Sequence, residues 1–221
     1  MTVRLPWPRI RTVLLDMDGT LLDLRFDNHF WRELVPERYA TRHGMSLERA
    51  RAEVAGRTRA VEGTLNWYCL DYWTQELALD IVTLKREIEH LIAVHPHVLD
   101  FLDALRAAGK GVALVTNAHP QSLALKMEKT RLTGHFDTIV CAHELGLVKE
   151  QPEFWPRLRE QEPFEPATTL LVDDNLSILR TARAYGIAHL VSVLRPDSAH
   201  PAKLPGEFPA IHDFSELLPV G

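Results

Sequence analysis

Five short apolar runs, separated by helical patterns and each ending in polar residues, constrain this chain more than any other feature. The first is TVLL at 12–15, followed at once by Asp16, Met17, Asp18 and Gly19. From His95 onward the pattern repeats: GVALVTN (111–117), DTIVC (137–141), TTLLVDD (168–174) and AHLVSV (188–193) read as strands, with helical stretches between them. Short runs rich in Val, Ile and Leu suit strands buried on both faces, and their alternation with helices predicts an α/β fold, a Rossmann-like parallel sheet with helices on each side.

The intervening helices have recognisable ends. Val98, Phe101, Leu102 and Leu105 lie on one face of a segment closed by Gly109; Pro120 opens another that runs to about Thr130. A long loop and a helix beginning near Pro152 follow the third strand, and residues 177–185 form a last core helix closed by Gly186. The tail from Arg195 carries several prolines and little periodicity, so it is expected to wrap the core, to end in a short helix at 214–218 and to carry no chemistry.

Between the first strand and His95 the character changes. Residues 25–94 read as a series of helices without a strand, predicting a helical domain inserted into a core made of 1–24 and 95–221. Within it, Asn28 starts one helix that Pro36 perturbs, Ser46 caps the next, and Thr64 caps TLNWYCLDYWTQELAL. Thr83 caps the last, LKREIEHLIAV.

Composition narrows the partners. A net charge of -5 argues against a protein that neutralises many nucleic-acid phosphates, while leaving a small anionic substrate open. No apolar run reaches the roughly 18 residues of a membrane span or builds a signal peptide, so a cytoplasmic protein with no membrane partner is expected. The two cysteines, Cys69 and Cys141, fit no zinc or disulfide pattern and read as reduced thiols; the 11 histidines show no clustered spacing.

The chemistry gathers at the strand ends. In an open parallel sheet, ligands bind outside the carboxyl ends of the strands. That edge would collect Asp16 and Asp18 from the first strand and Thr116 and Asn117 from the second. Lys149 joins from the loop after the third, and Asp173 and Asp174 come from the fourth. Taken singly, each has a plain reading as a turn, a solvated lysine or a helix cap. Together they form the set of carboxylates, cation, hydroxyl and amide that magnesium-dependent phosphoryl transfer requires.

In these motifs, D16-M-D18-G-T20, T116-N117, K149 and D173-D174, the chain resembles the haloacid dehalogenase superfamily over about residues 12–193. The helical insertion stands where that superfamily places its C1 cap, which implies a lid over the site. DMDGTLLDLRFDNHFW, LNWYCLDYW and TNAHP further resemble bacterial GMP/IMP-type purine 5'-nucleotidases. The resemblance implies a phosphoric monoester hydrolase with Asp16 as nucleophile and Asp18 as acid and base. Magnesium (Mg2+) would be held by Asp16, the main-chain carbonyl of Asp18, Asp174 and, in support, Asp173. Lys149, Thr116 and Asn117 would bind the phosphate. Haloalkanoate dehalogenation is disfavoured because Asp18 is present. A sugar-phosphate phosphatase or phosphomutase would share every core motif, and a non-catalytic nucleotide-binding module stands as the alternative outside enzymes.

Two positions depart from the superfamily's common pattern: Glu150 follows Lys149 where many members have proline, and Ile178 stands where many have an acid. Glu150 either alters the lysine loop or pairs with the lysine. For the base, Asn66, Trp67, Tyr68 and Asp71 are the candidates, by stacking or by reading purine edges. Oligomeric state has no signature in the sequence.

Overall fold

The computed structural model describes residues 3–221, so the first two residues of the expected core segment lie outside it. Six strands form one fully parallel sheet in the order β3-β2-β1-β4-β5-β6. They are β1 (Thr12–Leu15), β2 (Gly111–Thr116), β3 (Thr138–Cys141), β4 (Thr169–Asp173), β5 (His189–Val193) and β6 (Ala210–Ile211). β1 lies at the centre, with Leu14 in register with Ala113 on one side and Leu171 on the other.

The alternation of side chains along these strands feeds two separate cores. Val13, Leu15, Leu114 and Val172 pack with Phe101 and Leu105, whereas Leu14, Val115 and Leu171 pack with Phe154, Trp155 and Leu179 on the opposite face. Both faces are therefore dry, which is why the strands are apolar throughout.

A third cluster belongs to the inserted helices and includes Phe26, Phe30, Trp73 and Leu77, with Leu125 of the core against it. The helices of this segment are α1 (Arg25–His29), α2 (Val35–His43), α3 (Leu47–Ala60), α4 (Leu65–Tyr68), α5 (Leu70–Leu77) and α6 (Ile81–Glu87). The chain enters and leaves the segment side by side: Leu22 bridges Val94 antiparallel, and the Asp23 N–H donates to the Ala93 carbonyl at 2.9 Å.

Several helix boundaries in this segment differ from expectation. The first helix starts at Arg25 and continues through Pro36, because a π turn at Phe30–Leu34 widens the helix where the proline ring would meet the preceding turn. Ser46 caps α3 as expected, its hydroxyl accepting from the Arg49 N–H. Thr64 does not cap: its hydroxyl donates to the Val61 carbonyl, and the stretch after it breaks at Cys69, whose Sγ accepts the Tyr72 N–H and caps α5. The break frees the Trp67 carbonyl to accept from Trp73 Nε1 at 2.8 Å. Asp80, not Thr83, caps α6; a carboxylate is the stronger acceptor, and Thr83 donates to it through both its N–H and its hydroxyl.

The core helices are α7 (Val98–Ala107), α8 (Pro120–Thr130), α9 (Ala142–Leu145), α10 (Phe154–Gln161) and α11 (Leu176–Tyr185). α9 occupies part of what reads as loop, and the tail adds β6 before a 3-10 turn at Phe214–Leu217. Both are too short to carry a periodic signal.

Candidate active site

The carboxyl ends of β1, β2 and β4 converge with the loop after β3. Asp16 continues the β1 ladder, its N–H donating to the Val172 carbonyl, and it is 7% exposed. Lys149 reaches it across the switch point: Nζ lies 2.5 Å from Asp16 Oδ1 and 2.8 Å from Asp173 Oδ2. The Lys149 side chain is fully buried, and burial opposes its charge, but the two carboxylates win and hold its pKa above the ordinary lysine range.

Asp16, Asp173 and Asp174 place one carboxylate oxygen each within 4.8 Å of one another. Burial, against the opposing pull of Lys149 on the first two and Lys203 on the third, raises all three pKa values to about 6. Three buried carboxylates that close repel one another unless a cation or protons intervene. Hard oxygen donors in this number suit magnesium.

Gly19 makes the approach possible. It has φ +86°, and a Cβ there would lie 2.9 Å from Asp174 Cγ, so no other residue fits the turn without displacing the carboxylate. Thr20 completes the joint by accepting the Asp174 N–H at 3.1 Å.

Asp18 stands outside this trio. Its Oδ1 accepts from Lys126 Nζ at 2.6 Å, the same ammonium reaches Asp27 Oδ2 at 2.6 Å, and Lys85 Nζ holds Asp27 Oδ1 at 2.8 Å. Burial raises Asp18 to about 6 despite Lys126, while Asp27, buried as well, is held below the usual carboxylate range by the two lysines. Asp18 therefore belongs to a charged chain that runs from the core into the helical segment. The signal for Lys126 was present: it shares the inward face of α8 with Ser122 and Leu125. A lysine on an apolar face requires a buried partner.

The remaining expected residues divide. Thr116 and Asn117 lie at the β2 end, but both side chains have local partners. The Thr116 hydroxyl accepts the Ala118 N–H, and the Asn117 amide spans the Lys149 N–H and Glu150 Oε2. Glu150 does not pair with Lys149; it accepts from the Tyr68 hydroxyl at 2.7 Å and from Asn117 at 2.8 Å, tying the helical segment to the lysine loop. Ile178 is core. The tail, expected to carry no chemistry, supplies Lys203, whose Nζ lies 3.0 Å from Asp174 Oδ2.

Above the acids a cleft of about 480 Å3 opens between the two segments, within the size range of small-molecule sites. Asp18 and Asp174 form its floor, and Trp31, Trp67 and Tyr68 its aromatic wall. Asn66 and Asp71 do not line it, whereas Asn28, Trp31 and Lys85, which sequence reasoning passed over, do. The histidines also form a cluster that their spacing conceals: His119, His143 and Cys69 bring ligand atoms within 4.8 Å of one another.

A parallel sheet with two acids after β1, a lysine bridging β1 and β4, and a helical segment roofing the strand ends defines a hydrolase of one class. The chain matches the haloacid dehalogenase-like hydrolase family over residues 10–186 and belongs to it. It is 40% identical over 219 residues, 99% of each chain, to the GMP/IMP nucleotidase YrfG of Escherichia coli K12. It is also 30% identical over 190 residues to a phosphoglycolate phosphatase of Nitrosospira multiformis, covering 80% of each chain. In fold it is similar to a HAD phosphatase from Thermococcus onnurineus, with a TM-score of 0.77, 23% identity and coverage of 94% of this chain and 96% of that one.

Proposed function

We propose that this protein is a cytoplasmic, magnesium-dependent phosphomonoester hydrolase, a 5'-nucleotidase whose substrate is GMP or IMP. One observation carries the reading: the likeness to the Escherichia coli GMP/IMP nucleotidase runs through 99% of both chains and so includes the segment that covers the site. The aromatic wall of the cleft supports it, since a purine stacks on such rings where a two-carbon acid would leave them idle. In this reading residues 1–24 and 95–221 are the catalytic core and 25–94 the cap.

The chain's residues divide the chemistry. Lys149 occupies Oδ1 of Asp16 and leaves the other oxygen to attack phosphorus, forming the aspartyl-phosphate as the bond from phosphorus to the 5'-oxygen breaks. Asp18, with its pKa near 6, gives its proton to the departing 5'-oxygen and then takes one from the water that cleaves the acyl phosphate. Lys149 and the groups at the β2 end hold phosphate oxygens, Thr116 and Asn117 contributing chiefly through the shape their own hydrogen bonds fix. Asp16, Asp173 and Asp174 would hold magnesium, which would supply charge neutralisation between carboxylate and phosphate dianion.

The test is a phosphate-release panel of IMP, GMP, AMP, pyrimidine nucleotides and sugar phosphates, with and without magnesium. GMP and IMP should lead and chelation should abolish release. Preference for a sugar phosphate or phosphoglycolate would overturn the substrate, and no turnover at all would favour a binding module.

A further inference from the structure

The mechanism leaves one cluster of side chains unused. Cys69 sits at the break between α4 and α5 in the inserted segment, His119 immediately before α8, and His143 in α9, so three distant stretches meet at one point. One ligand atom from each lies within 4.8 Å of the others, the two imidazole rings stand edge to face at 5.1 Å, and Asp71 Oδ2 lies 3.6 Å from His119 Nε2. We propose that Cys69, His119 and His143, with Asp71 beside them, form a second metal site, selective for a thiophilic divalent cation of the zinc class, that clamps the cap to the core.

The donor set is the first argument. Thiolate with imidazole is a borderline-soft combination that favours zinc and its neighbours over magnesium, whereas Asp16, Asp173 and Asp174 offer only hard oxygens. The two sites therefore sort cations by chemistry.

His143 is the second argument. Its Nε2 is buried without a hydrogen-bond partner, and it lies in the cluster with the Cys69 and His119 ligand atoms. A buried ring nitrogen left unpaired has a cost that a bound cation removes. His119 Nδ1 accepts the Gln121 N–H at 3.4 Å, which leaves Nε2, the nitrogen facing Asp71, as its ligand atom. The Tyr72 N–H donates to Cys69 Sγ at 3.5 Å and fixes where the sulfur sits; on binding, the thiol proton passes to solvent.

The consequence follows from position. Cys69 and Asp71 belong to the inserted segment, His119 and His143 to the core, and Tyr68, next to Cys69, already reaches Glu150 across the junction. An ion bound there ties the segments together and slows the opening that product release needs. The clamp rests on reading residues 25–94 as a cap; the binding does not.

Cobalt reads the site directly, because only a cysteine ligand gives a sulfur-to-cobalt charge-transfer band. The full chain, stripped with chelator and returned to excess magnesium, is titrated with Co2+ and then Zn2+. A thiolate band that saturates at one equivalent and is displaced by zinc is expected. Cys69→Ser should abolish the band and His143→Gln should weaken zinc binding by more than ~100-fold, beyond the loss typical of an outer-shell partner, while Cys141→Ser retains both. No thiolate band in the wild-type chain, or one that survives Cys69→Ser, would overturn the site whether or not the protein hydrolyses nucleotides. Zinc should also slow nucleotide turnover in the wild-type chain and not in Cys69→Ser; equal slowing in both would overturn the clamp alone.

Discussion

Asp16 and Asp18 are two residues apart, yet different lysines hold them. Asp16 shares Lys149 with Asp173 and is one of the three clustered carboxylates; Asp18 is held by Lys126 and, through it, by Asp27. One lysine holds the proposed nucleophile and the other the proposed proton carrier. Asp16→Asn keeps the shape and removes the charge, so phosphate release should fall to background while the protein stays folded. Release near the wild-type rate, measured with IMP, would remove Asp16 as nucleophile.

At the scale of elements, α8 does more than cover the sheet. Lys126 projects from it to meet both the β1 loop and α1, so the helix is the joint between core and cap. Lys126→Met would leave two part-buried carboxylates without their shared cation, Asp27 keeping Lys85 and Asp18 keeping none. Breaking such an arrangement costs about 3–5 kcal/mol, and urea unfolding should show a loss of that order together with a lower kcat. A stability within about 0.5 kcal/mol of wild type, the usual range of a surface substitution, would mean the network is not closed in solution. On the cap side, Trp31 packs edge-on against Phe30 and Trp73 and still lines the cleft. Trp31→Leu keeps the packing volume largely filled but removes the stacking face, and base stacking is worth about 1–3 kcal/mol. KM for IMP should rise roughly tenfold with little change for a small phosphate ester such as phosphoglycolate. A parallel rise for both would place the effect outside base recognition.

The whole molecule carries the charge of its site as a liability. Asp16, Asp173 and Asp174 have folded-state pKa values of about 6 against an ordinary 3.8, so between these limits the folded protein binds more protons than the unfolded chain. Stability from these groups is therefore fully present below pH about 4 and is lost as pH rises through 6. In chelator, the melting temperature should reflect this by falling between pH 5 and 7 relative to the same protein in magnesium, which favours the ionised carboxylates. Equal pH profiles with and without the metal would mean that the trio does not bind it. The six-stranded sheet bears this strain because its two apolar cores flank the strands on either side of the site.

Much of this was legible in the chain. Five of the six strands, four of the five core helices and the convergence of Asp16, Asp18, Thr116, Asn117, Lys149, Asp173 and Asp174 follow from short-range pattern, since periodicity and turn residues report local backbone and one rule places strand ends together. Lys126, Asp27 and Lys85 were not legible as a unit, nor were Lys203 at Asp174 or the Cys69, His119 and His143 cluster. Their members lie on different elements, and only packing decides which side chains meet. The sequence by itself determined the sheet and the acids at its edge. Tertiary structure alone decided which cation holds each acid and which aromatic rings form the cleft, because burial and pairing are properties of neighbours distant in the chain.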